Sequence, residues 1–291
     1  MLTDTPKPRS LVVFFVLAFG ISWTFWIPDA LASYNLIPLR INSTVSGLLG
    51  AFGPFFATLI VTALYDGRTG FKRLLDRLTT WRVGFQGYLF VLLWPAILSL
   101  TKTGIAMLLG SPAPNFAQPP FLQLYPMPQE VMQSAPVLAF LPVIFLQQLL
   151  IGSSMGEEPG WRGYALPRLQ AHRSSLRASL LLGGLWSIWH LPLWLTKGHP
   201  MHETFLGWAM LALVATTILF TWVYNHTKGS LWLALLFHAS IAVTGLFLAS
   251  TAVHPLVDVA LNWGVAAVVI ATCGAQRLTR GGLSLDNRHG L

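Results

Sequence analysis

The chain is built mainly from apolar runs of about 20 residues that carry almost no charge, and no other feature constrains its fold more. About 20 apolar residues in a helix are enough to cross the hydrocarbon core of a bilayer. Such runs occur approximately at residues 11–32, 45–65, 87–110, 137–157, 178–196, 205–225, 230–250 and 255–273. The sequence therefore predicts an all-α fold, a polytopic membrane helical bundle with about eight transmembrane helices.

The overall composition excludes an ordinary globular protein. Of the 291 residues, 54% are hydrophobic and only 10% are charged, whereas about a quarter of a globular protein is charged. The single cysteine, Cys273, rules out an intramolecular disulfide framework. The formal charge of +8 would suggest nucleic acid as a partner in a soluble protein, so the placement of the basic residues has to be considered.

The basic residues predict the orientation of the chain. If the N-terminus is cytosolic, only Arg40 and Lys197 fall outside and Lys102 falls within the third run. Such a bias towards the inside orients membrane proteins and attracts anionic lipid. The predicted partner is thus the lipid bilayer and not nucleic acid, and both termini are expected to be cytosolic. The inside residues are Lys7, Arg9, Arg68, Lys72, Arg73, Arg77, Arg82, Arg162, Arg168, Arg173, Arg177, Lys228, Arg277, Arg280 and Arg288.

No linker is long enough to divide the chain, so residues 1–291 are predicted to form a single integral membrane domain. Residues 111–136, rich in Pro and Gln, are expected to form an outer loop. The basic stretch 66–82 is expected to lie on the inner surface as a short amphipathic helix. An alternative remains for the first run, because residues 30–33 match a small-residue cleavage site; cleavage there would leave seven spans.

The stretch SMGEEPGWRGY, residues 154–164, places two carboxylates and an arginine at the end of the fourth run. Charged side chains at membrane depth normally face the protein interior, find partners and mark a functional path. Glu158 and Arg162 are four residues apart on a helix and can pair, while Glu157 is turned about 100° away and is left for chemistry. Pro159 can kink the helix here. A Glu–Arg pair that merely ends a span would explain the doublet equally well.

Two histidines extend this candidate set. His190, in LWSIWHLPLWL, follows Trp186 by one helical turn in the fifth run, so the indole can pack on the imidazole. His238, in LLFHASIA, lies in the seventh run. A lone intramembrane histidine is more often a hydrogen-bonded packing residue than a catalyst. Glu157, His190 and His238, however, come from three runs with one cytosolic end each, and they can converge in one water-filled pocket.

The remaining ionisable residues indicate no site. His199, His202 and Glu203 form a cluster in the short loop between the fifth and sixth runs, which we interpret as a solvated loop, with a metal site as the minor alternative. No H-E-x-x-H, G-x-S-x-G or Walker motif occurs in the sequence. The ionisable residues near the ends of runs, which receive the same structural interpretation, are His226, His254, Asp29 and Asp258.

With these residues the sequence resembles the CPBP family of intramembrane proteases, the CAAX-processing and bacteriocin-processing enzymes also called the Abi family. The resemblance rests on Glu157-Glu158-x-x-x-Arg162, continued as EEPGWRGYALPRLQ, then on Trp186-x-x-x-His190 within SIWHLPLW, and then on His238. It covers a protease core at residues 137–250. It implies a multi-pass protein, for which the plasma membrane of a prokaryote is the expected location.

The resemblance also implies roles for the five residues. Glu157 would be the general base that activates water, and His190 would help to hold that water. His238 would stabilise the oxyanion, and Glu158 with Arg162 would brace the site. The family commonly has Asn or Asp four residues after the last histidine, but Ala242 stands there, so one oxyanion donor is missing or supplied elsewhere.

A metal cofactor is left open by the sequence. Two histidines and a carboxylate could hold zinc with an open coordination position, so Glu157, His190 and His238 are also the candidate metal ligands. The family is often labelled as metalloproteases. No cofactor is firmly indicated, and we favour a metal-free mechanism in which Glu and His activate water.

Three functions compete. The leading prediction is an intramembrane endopeptidase that acts on a membrane-bound or lipidated protein near the cytosolic surface. The alternative is a catalytically weak family member that serves as a membrane binding or immunity scaffold, which the alanine at position 242 motivates. A transporter that uses the buried ionisable groups for coupling ranks last, because the eight runs show no internal repeat.

Overall fold

The computed structural model describes residues 8–38, 42–116, 118–124, 130, 136–248 and 254–280, and in this part of the chain the regular structure is entirely helical. Six helical segments there are long and apolar enough to cross a membrane, and the apolar helix Leu231–Phe247 is shorter. The fifteen-residue helix Ser175–Trp189 accounts for the remaining predicted span. The prediction of an all-α polytopic bundle with about eight spans is therefore confirmed.

The helices that position the site are numbered in chain order, and two segments of π-helix interrupt them, at Thr62–Asp66 and Pro159–Ala165. The helices are α1 (Pro8–Ser33), α2 (Ser43–Ala51), α3 (Gly53–Val61), α4 (Gly67–Leu78), α5 (Phe85–Leu108), α6 (Phe121–Leu124), α7 (Leu141–Leu150), α8 (Ser153–Glu158), α9 (Leu166–Gln170), α10 (Ser175–Trp189), α11 (Leu191–Trp194), α12 (Leu206–His226), α13 (Leu231–Phe247) and α14 (Pro255–Cys273).

Some predictions concern residues that lie outside the described part. The two chain ends, residues 1–7 and 281–291, are among these, as is Arg40. In the predicted outer loop 111–136, the residues at 117, 125–129 and 131–135 lie outside as well. Within that loop the short helix α6 is described, and its Phe121 stacks on Phe247 at the end of α13, with the ring centroids 4.9 Å apart.

The predicted surface helix at 66–82 is present as α4, with the narrower bounds Gly67–Leu78. The chain enters it through Gly67, whose φ of 57° lies in the left-handed region, where a residue without a Cβ is unstrained. Phe71 and Leu75, one turn apart on α4, are exposed, whereas Leu74 packs against the hydrophobic core. A helix with exposed apolar and basic side chains is typical of the membrane interface.

The predicted end of the fourth span, at residue 157, is wrong. The apolar helical run Val137–Gln170 continues to Gln170, and it is interrupted by a break at Ile151 and Gly152 and by the π-helix Pro159–Ala165. Such a run can continue through Glu157, Glu158 and Arg162 because these side chains are buried inside the protein. Charge in the sequence therefore marks the middle of this segment and not its end.

The predicted fifth span, 178–196, is likewise not one helix. It begins earlier, at Ser175, and α10 ends at Trp189, so that His190 is both its C-cap and the residue before the short helix α11. Pro192 explains the break, because it has no N–H to donate to the carbonyl four residues earlier and it restricts the residue before it. The break places His190 at a helix end inside the bundle.

Candidate active site

Gly156 on α8 and Gly160 on the π-helix after it pack closely against the α2–α3 junction. A Cβ on Gly156 would lie 2.5 Å from the Ala51 carbonyl oxygen, and a Cβ on Gly160 would lie 2.8 Å from that of Pro54. Small residues four apart are what allow helix backbones to approach closely in membranes. Because Gly156 and Gly160 face this junction, the carboxylates of α8 are turned towards the other side, where α13 lies.

Glu158 lies between two positively charged or protonatable groups. Its Oε1 accepts a hydrogen bond from Arg162 Nη1 at 2.9 Å and is 2.6 Å from His238 Nδ1. Both Glu158 and Arg162 are fully buried, so the predicted pairing of these two residues is confirmed as an ion pair inside the protein. The Arg162 guanidinium also lies over the rings of Phe220, at 3.9 Å, and Trp186, at 4.6 Å.

Glu157 is held differently from its neighbour. Its Oε2 accepts hydrogen bonds from two indole nitrogens, Trp186 Nε1 at 2.7 Å and Trp161 Nε1 at 3.3 Å. Its Oε1 lies 4.0 Å from His238 Nε2. Glu157 therefore makes no ion pair with Arg162, which agrees with the division of the two carboxylates expected from the helical period. It is nevertheless not free, since both indoles orient it.

Trp186 contacts four of the five predicted site residues, all but Glu158. Besides its hydrogen bond to Glu157, its ring packs edge-on against the imidazoles of His190, at 5.4 Å, and His238, at 6.1 Å. The predicted packing of Trp186 on His190 is therefore present. Its backbone carbonyl oxygen also lies 2.8 Å from His190 Nδ1. One side chain from α10 thus holds groups from α8, α10 and α13 in one buried cluster.

His190 lies in an aromatic surrounding. Its ring stacks on Trp26 with centroids 6.3 Å apart and contacts Trp189 edge-on at 4.6 Å. Trp189 in turn donates to Ser22 Oγ at 2.8 Å, which ties the end of α10 to α1. The imidazole, only 5% exposed, is thereby fixed in one orientation.

The hydrogen-bond partners fix the tautomers of both histidines. A carbonyl oxygen only accepts, so His190 Nδ1 donates to Trp186 and its Nε2 presents a lone pair in the neutral imidazole. A carboxylate also only accepts, so His238 Nδ1 donates to Glu158. His238 can then donate a second hydrogen bond from Nε2 only as an imidazolium, whose charge Glu157 and Glu158 would stabilise from two sides.

Ser154 is a further polar residue on the same face, and no sequence motif points to it. It is fully buried, and its Oγ has no hydrogen-bond partner among the described residues. On α8 it precedes Glu157 by three residues and Glu158 by four, so its side chain projects between theirs. It is also opposite Gly156 in the helical period, and therefore faces away from the α2–α3 junction.

The packing of α8 on α13 indicates which residue of α13 is nearest in level to Ser154. Glu158 contacts His238, and five residues later a Cβ on Gly163 would meet Leu231 at 3.3 Å. Residue numbers thus rise along one segment as they fall along the other, so the two run antiparallel. Ser154 is one helical turn before Glu158 and Ala242 one turn after His238, so we expect these two residues at the same level.

The residues do not form a ready metal site. Within the described residues, no group of three or more His, Cys, Asp or Glu side chains is arranged to hold a metal ion. The Nδ1 atoms of His190 and His238 are hydrogen-bonded, which is also usual for histidines that bind a metal through Nε2, and Glu157 Oε2 accepts from two indoles. The donor types suit zinc, but the described side chains are not grouped to hold it, and no step below is routed through a metal.

The remaining candidates have structural partners. His202 Nδ1 lies 2.7 Å from the Trp194 carbonyl oxygen, which attaches the loop containing His199 and Glu203 to α11. Lys102, which the sequence left within the third span, forms an ion pair with Asp258 at 2.7 Å. That pair was not predicted, because residues 156 positions apart give no periodic signal.

The comparisons with known proteins agree with these motifs. Residues 136–244 match the model of the Rce1-like family, described as type II CAAX prenyl endopeptidase Rce1-like. This range contains all five predicted site residues. A CAAX prenyl protease 2 from Methanococcus maripaludis is 28% identical over 273 residues, which are 89% of this chain and 92% of that protein.

Proposed function

We propose that this chain, whose residues 136–244 match the Rce1-like type II CAAX prenyl endopeptidase model, hydrolyses a peptide bond in a membrane-associated or lipidated protein by means of water activated by Glu157. One observation carries this proposal. Two buried groups from different helices, Glu157 Oε1 and His238 Nε2, face each other across 4.0 Å, a separation that one water can bridge.

In the proposed mechanism Glu157 takes a proton from water as the hydroxide oxygen bonds to the scissile carbonyl carbon. The two indoles bind Glu157 Oε2, which leaves Oε1 to act as the base. Neutral His190 would hold the water by accepting a hydrogen bond from its other O–H at Nε2. The protonated Glu157 then gives its proton to the leaving amine as the C–N bond breaks, so that the carboxylate is restored.

The oxyanion that forms on the carbonyl oxygen would be stabilised by His238. As an imidazolium it donates from Nε2, and it stays oriented by its contact with Glu158, itself held by Arg162. Ser154 would supply the second donor. By the antiparallel register of the two segments we expect its buried hydroxyl at the level of Ala242, where the family that the sequence resembles commonly has Asn or Asp, and it has no partner among the described residues. Preorganised donors in a dry site are worth much more than in water.

The substrate class follows from the family and the membrane. The matched relative is described as a CAAX prenyl protease, and a C-a-a-X sequence is one in which the cysteine is prenylated. A prenylated or otherwise lipidated segment would reach this buried site from the bilayer. We propose that cleavage takes place near the cytosolic surface.

Exchange of the proposed base tests this function. Glu157→Gln keeps the size and hydrogen bonding of the side chain but cannot accept the proton, so cleavage should fall by about 10²–10⁴. The measurement is a proteomic comparison of membranes that contain the wild type or the variant, with detergent-stable yield as the check of folding. Glu203→Gln makes the same chemical change in the exposed loop and should cleave as the wild type does.

The same variants separate an enzyme from a binding scaffold. The scaffold is favoured by one feature, the alanine at position 242. If a phenotype of the wild type persists in both Glu157→Gln and His190→Ala, the scaffold is correct and the endopeptidase is not.

The proposed orientation has the basic loops and both termini in the cytosol of a prokaryote. In a Cys273→Ser background, Thr69→Cys and Glu203→Cys introduce single thiols at exposed positions on α4 and in the loop before α12. We expect a membrane-impermeant thiol reagent added to intact cells to label the cysteine at 203 and not that at 69. The opposite pattern would invert the topology.

A further inference from the structure

A second concentration of charge lies away from the candidate active site, where α4 packs against the π-helix Pro159–Ala165 and α9. A small open pocket there is lined by the basic side chains of Arg73, Arg77 and Arg168 and by a single acidic one, Asp66. The lining therefore has two more positive charges than negative ones. Nothing in the proposed hydrolysis uses this pocket.

The single negative charge of Asp66 does not balance the positive charges of the three arginines in the pocket. Its Oδ2 pairs with Arg168 Nη2 at 2.5 Å, and its Oδ1 is 3.7 Å from Arg73 Nη2. Arg77 instead donates to the Gly163 carbonyl oxygen at 2.6 Å, which is a neutral acceptor. Both oxygens of the only carboxylate are thus engaged, and the charge of Arg77 has no anionic partner in the pocket.

The donors around the pocket suit a ligand with several oxygens, and such a ligand enters once the exposed Arg73 side chain turns outward, because the pocket itself has a volume of only about 10 Å³, roughly that of one water. Arg168 lies over the Tyr164 ring at 3.5 Å and donates to the Tyr164 carbonyl oxygen at 3.1 Å, while its buried Nε has no hydrogen-bond partner among the described residues. The Arg73 side chain is 44% exposed and can turn towards a ligand. Planar guanidinium groups bind phosphate by paired hydrogen bonds.

The position of the pocket indicates where this phosphate comes from. It adjoins α4, whose Phe71 and Leu75 are apolar and exposed, as in helices that lie at the boundary between headgroups and acyl chains. Basic pockets between helices at this level bind anionic lipid headgroups. We infer that Arg73, Arg77 and Arg168 form a binding site for the phosphate of an anionic lipid headgroup.

The site also has a consequence for the candidate active site. Arg77 binds Gly163, which directly follows Arg162, the partner of Glu158. A headgroup phosphodiester in the pocket, with its one negative charge, offsets part of the excess charge and stabilises α4 against the π-helix segment. Bound anionic lipid therefore stabilises the folded protein.

The test uses the full chain purified in detergent and titrated with phosphatidylglycerol. Native mass spectrometry measures the lipid retained, and the unfolding temperature reports the stabilisation. We expect phosphatidylglycerol to bind and to raise the unfolding temperature, and zwitterionic phosphatidylcholine to do so much less. Arg73→Gln should weaken phosphatidylglycerol binding about fivefold, the effect of one basic residue near an anionic surface.

Arg68→Gln is the matched control, because it removes the same charge from an exposed position on the same helix outside the pocket. It should leave the retained lipid unchanged, and Arg73→Lys should restore part of the binding. Equal losses in Arg68→Gln and Arg73→Gln would overturn the site in favour of general attraction. Inorganic phosphate that stabilises the protein as much as phosphatidylglycerol would overturn the lipid as its source. None of these readouts requires peptidase activity.

Discussion

The protein contains two clusters in which one carboxylate holds two basic groups, and they differ in how their charge is compensated. In the buried cluster Glu158 contacts Arg162 and His238, and a second carboxylate, Glu157, lies beside them. In the surface cluster Asp66 contacts Arg73 and Arg168, and Arg77 lines the same pocket. The first cluster can be neutral by itself, whereas the second retains an excess of positive charge.

This difference reflects the surroundings of each cluster. Water and lipid headgroups can compensate charge at the membrane surface, so an excess there costs little. In the interior no such partner exists, and unpaired charge would cost several kcal/mol. The buried cluster is therefore balanced internally and held by indoles, and the surface cluster is left to complete its balance with an external anion.

The largest expected effect is on stability, and two carboxylate-to-amide changes test it. Glu158→Gln leaves Arg162 buried without its counter-charge, which should cost about 3–5 kcal/mol of folding free energy. Asp66→Asn makes the matched change in the surface cluster and should cost less, because Asp66 is 15% exposed and its partners Arg168 and Arg73 are 12% and 44% exposed, so that water compensates part of the lost charge. Chemical or thermal unfolding in detergent measures both.

A double variant is the control for the effect of Glu158→Gln. In Glu158→Gln combined with Arg162→Met the orphaned charge is gone, so the double variant should be more stable than the sum of the two single effects. Similar losses for Glu158→Gln and Asp66→Asn would show that burial does not distinguish the two clusters.

The next effect concerns catalysis in the buried cluster. If Ser154 supplies an oxyanion donor, Ser154→Ala should lower kcat by roughly 10²-fold with little change in KM. Ser154→Thr, which retains the hydroxyl, should keep more of the activity. Ser240→Ala is the control, since this buried hydroxyl on α13 is already bonded to the Leu236 carbonyl oxygen.

A substitution at position 242 tests whether Ser154 acts as an oxyanion donor. Ala242→Asn should raise the activity of Ser154→Ala by a larger factor than it raises that of the wild type, because the new amide replaces the lost donor. Equal factors in both backgrounds would assign Ser154 a purely structural role. An inactive wild type would instead count against the proposed hydrolysis itself.

The smallest effect is expected at the fully exposed edge of the surface region. Lys72 and Asp76, four residues apart on α4, form an exposed pair at 2.8 Å. Lys72→Gln should change the unfolding free energy by only about 0.3–0.5 kcal/mol, and the difference should shrink in high salt because exposed charges are screened. A loss of unfolding free energy as large as that of Glu158→Gln would contradict the distinction between buried and exposed charge.

Much of the fold was predictable because the bilayer imposes strict rules on a sequence. Apolar length predicts the spans, and the period of the helix predicts that Glu158 reaches Arg162 and that Trp186 packs on His190. The segment boundaries failed where charge or proline interrupted the pattern. The sequence predicts the end of a span at Glu157, yet the helical run continues to Gln170, and the fifth predicted span divides at His190.

The sequence by itself determined which residues are unusual in an apolar chain, because a charge at membrane depth is costly enough to stand out without any coordinates. The tertiary structure alone decided their partners. The hydrogen bonds from the indoles of Trp161 and Trp186 to Glu157, and the contact of Glu158 with His238 across 80 positions, depend on how the helical segments pack. Contacts between distant segments leave no period in one sequence, so packing geometry had to supply them.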